Sequence, residues 1–229
     1  MPEPDATALP GVPAQSDTQS DAPALPGALR APQQARSREK VARILAATAR
    51  LLAELPYAEL GTKRIAAEAG VSVGMLYRFF PDKHAIATAL AADWLDRFVA
   101  STERVLASSP ATPELLLARL LDAQAEFRRA QPGFRRLWYA GPALPALREH
   151  DERTDRTIAE LVHRALVRDH GYPDSAEFAL RTRLAVRTAA GLLNQAFEQD
   201  PEGDPAVLTE TRLMLERWLL HRPDTPKRS

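Results

Sequence analysis

The sequence predicts an all-α protein, on three observations. No segment alternates apolar and polar residues with period two, so no strand is expected. Apolar residues recur instead at spacings of three and four along most of the chain beyond Arg36. Pro, Gly, Ser, Thr and Asp punctuate those runs where helices must start and stop. About nine helices are expected, with no internal repeat.

Residues 1–35 are rich in Pro, Ala, Ser, Asp and Gln and nearly lack large apolar side chains. Such a segment cannot bury enough surface to offset its ordering entropy, so a disordered tail is expected. From Arg36 to Leu55, the residues Val41, Ile44, Leu45, Thr48, Leu51, Leu52 and Leu55 fall at helical spacing, and Pro56 and Gly61 bracket a loop. Two short helices follow, from Thr62 to Ala69 and from Ser72 to about Phe79. Pro81-Asp82 stops the second and caps a long helix running from Lys83 to about Ala107. Thr112-Pro113-Glu114 is a start signal: a cap residue, Pro at the first helical position, and an acid near the positive end of the dipole. That helix ends near Ala130, before Gln131-Pro132-Gly133. A short aromatic helix over Phe134–Tyr139 and a charged one over residues 146–169 come next. Asp174-Ser175-Ala176-Glu177 has the look of a capping box opening a helix to about Gln199. Asp204-Pro205 caps the last helix, to about His221, and a short disordered tail over 223–229 closes the chain.

At 229 residues the chain can hold one large or two modest cores. It has no cysteine, which excludes disulfides and thiolate metal sites and fits a reducing cytoplasm. No apolar run reaches membrane-spanning length, and the N-terminus lacks a basic-then-apolar signal pattern, so a cytoplasmic protein without membrane contact is expected. Formal charge is zero overall but unevenly spread. Residues 1–29 carry four acids and no Lys or Arg, whereas residues 30–85 carry ten Lys or Arg against five acids. A basic segment of that kind is the footprint of a phosphate-contacting module.

The basic segment holds the most informative stretch, residues 62–83: Thr-Lys-Arg-Ile-Ala-Ala-Glu-Ala-Gly-Val-Ser-Val-Gly-Met-Leu-Tyr-Arg-Phe-Phe-Pro-Asp-Lys. Ala66 lets two helices approach, Gly70 four residues later permits the positive φ of a tight turn, and Leu76 plugs the angle between the helices. This is helix-turn-helix spacing, which holds a recognition helix in the major groove. The stretch closely resembles the DNA-binding motif of tetracycline-repressor (TetR) family regulators, in which Ile-Ala is followed by Ala-Gly-Val-Ser, Leu-Tyr, an aromatic pair and Asp-Lys. The resemblance is close over residues 38–86 and only architectural beyond.

The resemblance implies a homeodomain-like three-helix head over residues 36–85, on a helical effector-binding and dimerisation domain over 86–222. It also implies roles for single residues. Thr62, expected to cap the second helix, meets a phosphate, and Lys63 lies beside it in the first turn. Arg64 is the candidate for a base edge, since its fork can grip guanine O6 and N7. Ser72, Val73, Gly74 and Met75 lead the third helix into the groove, with Tyr77, Arg78 and Phe79 further along. Val73 and Met75 suit thymine methyls, Gly74 permits close approach, Tyr77 resembles the family's phosphate-binding tyrosine, and Lys83 resembles its lysine clamp. The leading end Val73-Gly74-Met75 carries few polar groups, so readout leans on Arg64, Arg78, methyl contacts and DNA shape. Arg30, Arg36 and Arg38 offer a rival reading of the tail's end, as an arm touching DNA.

In the body, Trp94, Phe98, Phe127, Phe134, Trp138 and Tyr139 gather aromatic surface, with Gln124 and Asp122 as polar neighbours. A largely apolar cavity with a few polar groups is what an effector site requires; the rival reading is plain core. No anchoring charge stands out, so a hydrophobic effector is expected. Leu184, Thr188, Gly191, Leu192 and Gln195 on one helix, with Leu208, Leu215, Trp218 and Leu219 on the next, fit a four-helix interface between two subunits. Packing within their own subunit is the alternative.

Gly70-Val71-Ser72-Val73-Gly74 also fits Gly-x-Ser-x-Gly, but a nucleophile elbow needs a strand before it and a parallel sheet around it. The histidines at 84, 150, 163, 170 and 221 show no ligand spacing, and neither metal nor cofactor is expected. The sequence therefore points to a repressor that binds a palindromic operator in double-stranded DNA as a homodimer and responds to a small molecule. An activator or architectural factor without an effector, and more remotely an all-α enzyme, are the alternatives.

Overall fold

The computed structural model describes residues 30–139 and 145–221. Among them are nine α-helices and no strand. Of the expected tails over 1–35 and 223–229, residues 1–29 and 223–229 lie outside the described residues, whereas residues 30–35 are helical. The helices are α1 (Arg30–Glu54), α2 (Thr62–Ala69), α3 (Val73–Phe79), α4 (Lys83–Ala107), α5 (Pro113–Ala130), α6 (Pro132–Tyr139), α7 (Pro145–His170), α8 (Ala176–Ala196) and α9 (Pro205–Leu219). A 3-10 turn, Tyr57–Glu59, joins α1 to α2.

Local capping explains most starts. The side chains of Asp82, Thr112 and Asp204 accept the N–H groups of Ala85, Leu115 and Ala206, giving α4, α5 and α9 their first turns. Three expectations are corrected. The first helix begins at Arg30 rather than Arg36: Pro32 sits in its first turn, where a missing N–H leaves no bond unmade, and Gln-Gln-Ala follows it. Thr62 is the first helical residue of α2, and Gly61 holds the cap position. The capping box of α8 is half formed. Ser175 accepts from the Phe178 N–H at 3.2 Å, but Glu177 stands one residue too early to return the bond and pairs with Arg181 instead.

The head is built from α1–α3. Ile44, Ala47, Leu51 and Leu52 of α1 meet Ile65, Ala66 and Ala69 of α2 and Leu76 of α3, all buried. The same cluster runs on through Ile86, Ala87 and Leu90 of α4 to Trp94, Phe98 and Phe134. Packing therefore does not break at the expected 85/86 boundary, because α4 serves both halves; backbone contacts divide the chain after Ser37. In the body, α4 packs on α5 and α7, α7 on α8, and α8 on α9. Leu116, Val162, Leu166, Phe178, Leu215 and Leu219 form its second core.

Candidate nucleic-acid interface and ligand cavity

Gly70 sets the angle between α2 and α3. Its φ of 63° lies in the left-handed region, and the bonds Gly70 N–H to Ala67 O (3.1 Å) and Val71 N–H to Ala66 O (3.0 Å) close a Schellman turn. Arg43 of α1 reaches over to donate to the carbonyls of Ala69 and Gly70 at 2.7 and 2.9 Å. A Cβ on Gly70 would stand 2.8 Å from that guanidinium, so a side chain here meets backbone strain and would displace the end of Arg43 from its two carbonyls. Ser72 then accepts from the Met75 N–H at 3.1 Å and caps α3. The Gly-x-Ser-x-Gly stretch is thus an inter-helix turn with its serine spent on a cap, not a nucleophile elbow.

Once α3 is seated on Leu76, its free face is fixed by helical geometry. Gly74, Tyr77 and Arg78 are exposed together, and Lys63 and Arg64 are exposed at the start of α2. Thr62 Oγ1 and Tyr77 Oη lie 3.0 Å apart, tying the start of α2 to the middle of α3. Met75 is half-buried. Two expected contacts point elsewhere: Val73 and Phe79 pack on the head's core, because they fall three residues either side of Leu76. Lys83 is also engaged. Its Nζ donates to the carbonyls of Tyr57 and Ala58 at 3.4 and 3.1 Å and sits 5.0 Å from the Tyr57 ring centre. Three ammonium donors leave one for a phosphate.

A cavity of about 240 Å³ opens between α4, α5, α7, α8 and α9. Phe98, Phe134, Trp138 and Gln124 line it among leucines. Trp94 and Phe127 do not line it. Trp94 is 1 % exposed, and its indole N–H donates to the Gln131 side chain, while Phe127 packs on Phe98 and Phe134 from outside. The ring of Tyr139 lies outside the described residues. Asp122 is exposed on the other side of α5.

The cavity does contain anchoring charges, contrary to the sequence expectation. Arg128 is 8 % exposed. Its Nε and Nη2 donate to Asn194 Oδ1 at 3.3 and 3.1 Å, and Nη1 donates to the Gln124 carbonyl at 3.1 Å. Its guanidinium lies 5.3 Å and 5.6 Å from the rings of Phe98 and Phe134. Burial pulls its pKa down to about 10, against the pull of Asp151 and Asp155, so it stays charged at neutral pH. Those carboxylates share one partner: Arg187 Nη1 donates to Asp151 at 3.1 Å and to Asp155 at 2.8 Å. Burial and the neighbouring Asp155 raise Asp151 to about 6, despite Arg187. Burial raises Asp155 likewise. One signal for Arg128 was legible: it continues the inward line Leu117, Leu121, Gln124 on α5.

On the outer side of α8 and α9, Leu180, Leu184, Met214 and Trp218 are each at least 40 % exposed. Thr188, Gly191 and Gln195 continue the α8 stripe, also exposed. Leu192 is half-buried. Leu215 and Leu219 are buried in their own subunit, and Leu208 packs on the cluster of Ala125, Ala196 and Phe197, so these three do not belong to the exposed face. No described helix is long and apolar enough to cross a membrane. No cluster of three or more His, Cys, Asp or Glu fit to hold a metal occurs among the described residues.

The family model described as "Bacterial regulatory proteins, tetR family" matches residues 44–90, and that described as "Tetracyclin repressor-like, C-terminal domain" matches 111–222. A TetR-family transcriptional regulator from Streptomyces coelicolor superposes with a TM-score of 0.66 at 31 % identity, over 80 % of this chain and 97 % of its own. A TetR transcription regulator from Haloarcula marismortui (TM-score 0.62, 23 % identity, 80 % and 97 % covered) shares the fold. So does the fatty acid degradation regulator FadR from Bacillus halodurans (0.61, 22 %, 80 % and 97 %). No curated protein sequence matches significantly. With both family models matched in order and the turn at Gly70 formed, the chain belongs to the TetR family and is a DNA-binding transcriptional regulator, not an enzyme.

Proposed function

We propose that the protein is a cytoplasmic, ligand-responsive repressor that binds a palindromic operator as a homodimer. The exposed face of α3, with Gly74, Tyr77 and Arg78 beside Arg64 of α2, carries the DNA half of this reading. Arg64 reads a base edge, and Arg78 and Met75 read along the groove. Thr62 with Tyr77, Lys63, Ser72 and the remaining donor of Lys83 hold phosphates. Two copies pair through Leu180, Leu184, Thr188, Gly191, Gln195, Met214 and Trp218, which explains apolar exposure that a monomer leaves in water.

The cavity supports the effector half. Phe134 and Trp138 line it from α6, and Gly133 in the first turn of the same helix sits hard against Ala49 and Leu52 of α1. A ligand that shifts α6 therefore shifts α1 and the spacing of the two heads, which must reach successive major grooves. The test is selection of genomic fragments by purified protein at physiological salt. Recovery of an inverted repeat, with half-sites about 34–36 Å apart or a multiple of it, is the expected result. Recovery of random fragments alone overturns the specific reader.

A further inference from the structure

A second cavity, of about 180 Å³, adjoins the first between α1, α5, α6 and the segment after α8. Arg128, Phe134, Trp138 and Asn194 line both, so only shared side chains stand between the two spaces. Their chemistry is opposite. The first is walled mainly by apolar side chains, its acids Asp151 and Asp155 bridged by Arg187, whereas Arg128, Arg129, Arg135 and Arg136 line the second against a single acid, Glu202.

Two of the four arginines are spent on the protein. Arg129 donates to the Glu202 carbonyl at 2.9 Å, and Arg135 donates to the Glu198 carbonyl. The other two keep N–H donors in reserve. Arg136 Nη1 is buried and has no hydrogen-bond partner among the described residues. Arg128 makes three hydrogen bonds, all to neutral oxygens, which leaves two of its five N–H donors without an acceptor there. A buried guanidinium with unmatched N–H donors is costly, and an entering anion supplies the missing acceptors together with a directly bonded counter-charge.

We propose that the two cavities form one site for an anionic amphiphile. Its head group, a carboxylate or a phosphate, sits on Arg128 and Arg136, and its apolar tail lies among Leu117, Leu121 and Leu193. This rests on the ligand-responsive reading above and names the ligand's class. Asp151 and Asp155 set the orientation: they line only the leucine-walled cavity, where they would repel an anion. A cationic amphiphile is disfavoured because Arg187 already bridges both carboxylates.

The test uses the full chain, calorimetric titration and thermal unfolding, with decanoate, decyl phosphate, decanol and decylamine, all below micelle-forming concentration. At a hundredfold excess over Kd, at least one of the two anions is expected to raise Tm by about 5–10 °C; whichever binds tighter assigns the head group. Decanol is expected to bind at least about tenfold more weakly, and decylamine not at all. Arg136→Gln and Arg128→Gln should each lower affinity for the anion about tenfold or more and leave decanol binding unchanged, which a merely structural role would not do. Should Arg128→Gln fail to fold, Asn194→Asp gives Arg128 a built-in counter-ion and predicts the same selective loss. Equal binding of decanol or decylamine, no binding by either anion, or wild-type anion affinity in Arg136→Gln overturns the proposal. DNA retention is measured in parallel. An anion that binds without releasing operator DNA leaves this site standing and overturns the ligand-responsive reading.

Discussion

Gly74 is the residue on α3 that packing does not explain. Glycine weakens a helix interior by about 1 kcal/mol relative to alanine, and a Cβ added here would meet nothing within 4 Å. On the proposed reading, close approach of DNA accounts for it. Gly74→Ala is therefore expected to stabilise the free protein by about 0.5–1 kcal/mol while weakening operator binding; calorimetry and gel shifts read the two effects, and unchanged affinity removes Gly74 from the interface. Lys83 and Arg64 divide differently. Lys83→Ala frees the carbonyls of Tyr57 and Ala58 as well as a phosphate donor, so it should weaken binding to all sequences and lower Tm together. Arg64→Ala, exposed and bonded to nothing in its own chain among the described residues, should spare Tm and relax one base position by about 1–3 kcal/mol. Equal loss on operator and random DNA for both variants would sink that division. Asp151 links protonation to stability. Its carboxyl titrates near 3.8 when unfolded and near 6 when folded. Between those values only the folded chain holds the proton, so this contribution is full at low pH and lost as pH rises through about 6. With the side chain 18 % exposed, it amounts to something on the order of 2 kcal/mol. Asp151→Asn should reduce the gain in Tm from pH 7 to pH 5 by several degrees, and an unaltered pH profile rules the linkage out.

At the scale of elements, what was legible in the sequence is what is local. Asp82, Thr112, Ser175 and Asp204 each cap from within three residues of the N–H they accept, so four helix starts could be read without a fold. Gly70 and Leu76 work the same way, across one turn. The cavity was less legible because its polar groups owe their burial to several helices at once. Arg128 is a surface residue by type, yet Asn194 of α8 and two aromatic rings enclose it. The sequence groups Trp94 and Phe127 with the lining aromatics, and only packing separates a ring facing a void from one behind it. Gly133 illustrates the same limit. Its sequence context reads as a loop breaker, but a Cβ there would stand 2.7 Å from the Ala49 carbonyl and 2.9 Å from Leu52 Cβ. Those neighbours are backbone and the root of a buried side chain, so neither yields cheaply. Gly133→Ala should force α6 away from α1 and destabilise by about 1–3 kcal/mol. If α6 relays cavity occupancy to the head, the variant should also lose ligand control of DNA binding; retained control with intact folding would break that route.

At the scale of the whole molecule, the proposed reading makes affinity for an operator depend on two heads acting at once. Each presents a short α3 with few polar groups at its leading end, so a single head offers little sequence-specific energy. Joining two converts the second binding event into an intramolecular one, which raises overall affinity by about a hundredfold to ten-thousandfold without any new contact. The exposed apolar stripe on α8 and α9 is the surface that would do the joining. Leu184 is 48 % exposed and Trp218 is 43 % exposed, so neither contributes much to its own subunit's core. Leu184→Glu should accordingly leave the monomer folded, since a charge at an exposed helical position meets water. In the dimer the same charge would be buried opposite its symmetry mate and would split the pair. Sedimentation should then report a monomer with unaltered helix content, and affinity for the inverted repeat should fall to that for an isolated half-site. Binding to an isolated half-site should stay as it was, because the head is untouched. A Leu184→Glu protein that remains dimeric places the interface elsewhere, whereas one that is monomeric yet keeps full affinity for the repeat removes the need for two coupled heads.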